Sequence, residues 1–203
     1  MSVELPAPGA ARALGERKQE RDRQAIRLEA FRLFRAQGYN ETTIEQIAAA
    51  AGVSPSTFFR YFRNKEQLVL ADDLEPLLIE ALRRQPRGIT PMAAFRNAVF
   101  EVFTMLPAAE LGFEQERQAL LYHVPELRSA IGSEVLRSID LIAGLLAERS
   151  GCCADDFEVR VTAGAMAGAT MAISTMTPMN VENITRTVDF LHAGLPLGVD
   201  RES

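Results

Sequence analysis

The chain has no tryptophan, two cysteines, two histidines and, among its 22 basic residues, only two lysines, Lys18 and Lys65. Each scarcity excludes something. Cys152 and Cys153 are adjacent, so they cannot staple a disulfide framework, and this usage fits a reducing cytoplasm. His123 and His192 stand far apart and no Cys or His follows a metal-ligand spacing. The H-E-x-x-H pair, the glycine-rich phosphate loop and the nucleophile elbow are missing too, so no metal, no cofactor and no catalytic residue is expected. Long apolar runs are scarce as well. Residues 161–181 carry no charge and include Gly164-x-x-x-Gly168, but the stretch is rich in Ala, Gly, Thr and Ser and is broken by Pro178. It is too weakly apolar for a membrane span. Residues 1–17 lack the apolar core of a secretion signal, and Pro6, Pro8, Gly9 and Gly15 predict a disordered arm over 1–16.

What is present suffices for a buried core in one body or two: 203 residues, 47% of them hydrophobic. The net charge of -5 is unevenly spread. Residues 1–70 hold 11 Lys+Arg against 8 Asp+Glu, or +3, and residues 71–203 hold 11 against 19, or -8. A basic first third suggests contact with a polyanion made mainly by arginine forks.

That basic part contains the densest local signal. Thr43 is a natural N-cap for a helix whose Ile44, Ile47, Ala48 and Ala51 repeat at i, i+3, i+4 and i+7. Gly52 stops it, and Ser54 with Pro55 starts another helix at once. The second helix opens on hydroxyls (Ser54, Ser56, Thr57), buries Phe58 and Phe62, and leaves Phe59, Arg60 and Tyr61 outside. This is a helix-turn-helix whose second helix has the chemistry of a major-groove reader. A preceding helix over 17–37 places Ile26, Ala30, Leu33 and Phe34 on one face and ends at Gly38. Its charged side offers Arg12, Arg17, Lys18 and Arg21 either to solvent or to phosphate.

The residues Ile26, Ala30, Leu33-Phe34, Gly38-Tyr39, Thr42-Thr43-Ile44, Ile47-Ala48, Ala51-Gly52-Val53-Ser54, Thr57-Phe58-Phe59-Arg60-Tyr61-Phe62 and Lys65 closely resemble, in order and spacing, the TetR family of bacterial transcriptional regulators. The resemblance implies an all-α homodimer: three N-terminal helices that bind double-stranded operator DNA, then a helical regulatory body, about nine helices in all. By position it implies DNA contacts from Thr43, Ser54, Pro55, Ser56, Thr57, Phe59, Arg60 and Tyr61, with Lys65 at a phosphate-binding helix start. Phe59 departs from the usual tyrosine and can offer a thymine methyl only apolar contact. Arg60 suits a bidentate guanine contact, with phosphate the close alternative.

The expected division is 1–16 arm, 17–63 DNA-binding domain and 64–203 ligand-binding and dimerisation domain. Asn64 and Gln67 open a long helix through Leu82, which Pro76 should kink or divide near Asp73 to Glu75. Further helices are expected from Thr90-Pro91 to Leu106, over 110–122, 125–149 and 156–176, and after the Asn180 cap. Their aromatic and apolar stripes read first as ordinary core. In the family, however, this space is the cavity for a small-molecule effector, so the resemblance makes Phe95, Val99, Phe103, Phe113, Tyr122 and Met166 lining candidates. Arg117 and His123 are the ionisable candidates for a polar headgroup. The resemblance also places the dimer contact on the last two helices, where Ala163, Gly164, Ala167, Gly168 and Thr170 permit close approach.

Phe58 to Phe62, Asp72 to Leu77 and Gln85-Pro86 further resemble an actinobacterial sub-group with an acyl-CoA-like ligand domain, similar to the mycofactocin-system regulator. That implies a long-chain acyl or other small lipophilic effector, and a repressor that this effector releases from a palindromic operator. Two other readings stand beside it: a thiol-redox-responsive regulator through Cys152 and Cys153, and a small helical enzyme acting on acyl substrates.

Overall fold

A computed structural model describes residues 8–177 and 179–195, and of residues 8–16 the backbone path alone. Among the described residues there are ten helices and no strand: α1 (Pro8–Gln37), α2 (Ile44–Ala50), α3 (Pro55–Tyr61), α4 (Lys65–Leu70), α5 (Leu74–Arg84), α6 (Pro91–Met105), α7 (Ala108–His123), α8 (Pro125–Ser150), α9 (Phe157–Ser174) and α10 (Val181–His192). These are the nine expected helices with the fourth divided. The division has a simple cause. A proline within a helix clashes with the carbonyl four residues back, here that of Asp72, and lacks an N–H. By breaking over Ala71–Asp73, the chain moves Pro76 into the first turn of α5, where no intrahelical partner is required of its nitrogen.

The chain forms two compact units, Met1–Ala71 and Asp72–Ser203. Their division lies eight residues after the expected 63/64 boundary, because α4 sends Leu68 and Val69 into the core of the first unit. α1 also begins earlier than expected. Residues 8–16 continue its helix, which corrects the disordered arm there, while the part of that arm over residues 1–7 lies outside the described residues.

In the first unit, Ile26, Ala30, Phe31 and Phe34 of α1 meet Ile47 and Ala48 of α2 and Phe58 of α3 in one core. Phe31, Phe58 and Phe62 are no more than 2% exposed, and each contributes about 1.5–3 kcal/mol by leaving water. Gly52 adopts φ +67, the left-handed turn that releases α2 and lets α3 begin three residues later.

In the second unit, α5 and α10 pack on α6, α8 runs along α9, and α7 rests on α8. One apolar cluster joins α5, α6 and α10 through Leu82, Val99, Phe103 and Ile184. A second joins α8 and α9 through Ala143, Leu146, Ala163 and Met166. Phe95 packs against both.

Candidate nucleic-acid interface and effector-facing residues

Caps fix the two short helices that carry the predicted DNA contacts. The Thr43 hydroxyl accepts from Gln46 N (3.2 Å), and the Gln46 side chain accepts in return from Thr43 N (2.9 Å). This closed box holds the start of α2, and the Thr43 hydroxyl keeps its own proton for an outside acceptor. At α3, Ser54 Oγ accepts from Thr57 N (3.1 Å) and lies 2.8 Å from Ser56 Oγ and 3.0 Å from Thr57 Oγ1. Three hydroxyls are therefore gathered at the start of this helix, beside exposed Pro55.

The rest of α3 presents Phe59, 52% exposed, edge-on to the buried Phe58 ring. Beside it the Arg60 guanidinium lies 5.0 Å from the Tyr61 ring centre and donates to the Tyr61 hydroxyl (3.3 Å). Asp22 of α1 sits 4.0 Å from the same guanidinium. Sequence reasoning missed Asp22, since nothing local ties it to residue 60. It gives Arg60 an anionic partner that phosphate or a guanine edge can replace.

Lys65, for which the resemblance implies a phosphate contact, is also engaged within its own chain. Its ammonium donates to the carbonyls of Tyr39 (2.6 Å), Thr42 (2.8 Å) and Asn40 (3.4 Å) and lies 4.3 Å from the Tyr39 ring centre. An ammonium has three donors, and three carbonyls occupy them. The expected phosphate ligand is thus, in this structure, a staple holding the 39–42 turn against the start of α4. Asn64 caps α4 as expected, accepting from Gln67 N (2.7 Å), while the Gln67 side chain accepts from Arg63 N rather than from Asn64 N.

The expected effector residues separate into three groups. Val99, Phe103 and Met166 are buried in the two apolar clusters, with half-buried Phe95 between them. Phe113, Arg117 and Tyr122 line successive turns of α7: Phe113 and Tyr122 are half-buried, and Arg117 is 5% exposed. Burial raises the Tyr122 pKa above the usual tyrosine value, against a hydrogen bond with Ser174 and the Arg117 charge. His123 stands apart from these, exposed at the end of α7 with its Nδ1–H donating to the Ala119 carbonyl (2.7 Å). A surface cleft of about 40 Å³ lined by Leu82, Arg83, Arg87, Leu145, Glu148 and Arg149 touches none of the eight, and that volume suits a water or two.

Arg117 brings in two carboxylates that sequence reasoning did not pair with it, Glu114 (2.6 Å) and Asp72 (3.3 Å). Glu114 carried a readable signal, its i, i+3 spacing from Arg117. Asp72 carried none, because 45 residues separate it from its partner. Cys152 and Cys153 are both exposed in the turn between α8 and α9. Among the described residues no group of His, Cys, Asp and Glu could hold a metal, and no helix is long and apolar enough to cross a membrane.

Comparison with known proteins agrees with this arrangement. The sequence profile described as bacterial regulatory proteins, tetR family, matches residues 26–71, and that of the MftR C-terminal domain matches residues 89–196. The HTH-type transcriptional regulator TcmR of Streptomyces glaucescens is 34% identical over 150 residues, covering 70% of this chain and 66% of that protein. A mycofactocin biosynthesis transcriptional regulator assignment, MftR of Mycobacterium tuberculosis, is 28% identical over 145 residues, covering 70% of this chain and 73% of the other. Among solved structures, the Thermus thermophilus repressor FadR in complex with lauroyl-CoA superposes with a TM-score of 0.53 at 28% identity, covering 89% of this chain and 97% of that one.

Proposed function

The chain belongs to the TetR family of bacterial regulatory proteins, and from that premise we propose that this transcriptional regulator is a repressor released from a palindromic operator by a small lipophilic effector of the long-chain acyl-CoA class. Its family and relatives are transcriptional regulators, not enzymes. Regulators of this family bind operator DNA and act as dimers with small-molecule effectors.

The observation that carries the DNA-binding half is the exposed end of α3, where three hydroxyls, Phe59 and Arg60 crowd a helix in the only net-positive part of the chain. In our reading Thr43, Ser54, Pro55, Ser56, Thr57 and Tyr61 position the helix on the backbone and Arg60 reads a base edge, after exchanging Asp22 for it. The effector half rests on the FadR likeness and on a body whose interior brings apolar clusters beside a polar face of α7.

The dimer is assigned to α9 and α10, with α9 foremost. Phe157, Val161, Ala165 and Ala172 are exposed along one stripe of α9, with Met176 exposed in the turn after it, while Ile184 and Val188 of α10 are buried. Among the described residues, and apart from the adjoining backbone of α9 itself, nothing comes within 4 Å of a Cβ added at Gly164 or Gly168. Their smallness serves no neighbour within the protomer, which suits close approach by a second copy. A two-fold dimer presents two copies of α3 and so calls for a palindromic site.

Selection from randomised DNA duplexes, followed by anisotropy titration with lauroyl-CoA and mass spectrometry of ligand extracted from the purified protein, tests the reading. The expected result is an enriched inverted repeat that lauroyl-CoA releases. An enriched site indifferent to acyl chains of every length would remove the effector proposal and leave the regulator.

A further inference from the structure

Among the described residues, the buried side chains of the second unit are apolar except along one face of α7. Glu114, Arg117 and Gln118 fall at i, i+3 and i+4, which sets them side by side, and they are 3%, 5% and 8% exposed. Ions taken from water at such depth require close partners. Arg117 Nε donates to Glu114 Oε2 at 2.6 Å, and Arg117 Nη2 lies 3.3 Å from Asp72 Oδ2. The other oxygen of Asp72 accepts from the backbone N–H groups of Leu74 (2.9 Å) and Glu75 (3.3 Å), the first two residues of α5. One carboxylate therefore ties the buried arginine to the helix start that follows immediately on the division between the two units.

We propose that Arg117 is an anion-exchange site, at which a carboxylate or phosphate of the effector replaces Asp72 and thereby loosens the start of α5. This rests on the lipophilic-effector reading and adds to it the charge of the ligand and the route of its signal. Of the two carboxylates on Arg117, Glu114 has a side chain 3% exposed and Asp72 one 34% exposed, so Asp72 is the partner within reach of an incoming group. The exchange conserves charge: one anion leaves the guanidinium as another arrives, and no buried ion is stranded. A neutral group of the same shape cannot make this trade. Burial works against the Arg117 charge, and Asp72 and Glu114 together outweigh it; a guanidinium keeps its proton whichever anion faces it. Once off Arg117, Asp72 no longer joins α5 to α7, and the effector favours whichever arrangement of the linking segment goes with that release.

Laurate, lauroyl-CoA and the neutral 1-dodecanol, titrated calorimetrically into the full-length protein, test the proposal. The variants are Asp72→Asn, which keeps an oxygen for the α5 cap but gives up the charge, and the paired Glu114→Gln/Arg117→Gln, which removes both buried ions together. The expected result for Asp72→Asn is about tenfold tighter binding of the anionic amphiphiles, 1.4 kcal/mol, with dodecanol unchanged. The paired variant should lose all preference for the anionic ligands. Amide exchange at Leu74 and Glu75 should quicken when an anionic ligand binds the wild type and not when dodecanol does. Tightening confined to laurate assigns the carboxylate; tightening confined to lauroyl-CoA assigns the phosphates. If wild type binds dodecanol as well as laurate, or Asp72→Asn shifts all three ligands alike, the exchange is overturned while the lipophilic reading survives. Failure of the wild type to bind any of the three overturns both.

Discussion

Arg60 and Lys65 are the two cations that the family resemblance carries to DNA by position, and their surroundings give them different work. The Arg60 side chain is 58% exposed and its ion pair with Asp22 is long, 4.0 Å. Such pairs add little to stability, and replacing an exposed residue of this kind changes it by less than about 0.5 kcal/mol. Arg60→Ala should therefore leave the melting temperature in place, yet weaken the selected operator by about 1–3 kcal/mol while barely affecting bulk DNA. Lys65→Ala should do the reverse first. It strips three carbonyls of a charged donor, which costs about 1.5–3 kcal/mol and lowers the melting temperature before any DNA is added. Thermal unfolding followed by anisotropy on both DNAs separates the two. An unshifted melting temperature for Lys65→Ala, with equal loss on both DNAs, would return it to the phosphate role.

At the scale of elements, local chemistry accounts for where helices start and stop. Thr43, Ser54, Asn64, Thr90 and Asn180 each accept from the backbone N–H three residues on, and all are legible as capping residues. The faces of the helices depend on packing that no local rule sets. α9 shows this: Ala163, Met166 and Ala167 turn to their own chain, and Phe157 and Val161 stay 74% and 53% exposed. An exposed apolar stripe of this kind suits the dimer interface proposed above. Val161→Glu should convert the dimer to monomer in light scattering after size exclusion, with helical circular dichroism preserved, because the residue faces away from the protomer's core. A dimer of unchanged stability would move the interface elsewhere.

For the whole molecule, the charge division sets how the protein meets DNA. Residues 1–70 carry +3 and residues 71–203 carry -8, so attraction to the polyanion is confined to the first unit and the second opposes unspecific coating. Binding to the operator should then be steeply salt-dependent. For six or more phosphate contacts, raising salt from about 50 to 200 mM weakens it on the order of a thousandfold. A dimer held on the α9 stripe, as proposed, should respond little over the same range. Parallel anisotropy and sedimentation measurements check this, and a dimer that dissociates in step with DNA release would point to an ionic interface instead.

The sequence by itself determined the all-helical class, the helix-turn-helix, its caps and the need for a break before Pro76, because each depends on residues within a turn or two of one another. It determined the family through the same short-range spacing. Only the tertiary structure decided that Lys65 serves the 39–42 turn, that Asp22 attends Arg60, and that Asp72 reaches Arg117. In each case the partners lie 23 to 45 residues apart, and a charged side chain takes whichever counter-group the packed fold brings within about 4 Å, which no local pattern records.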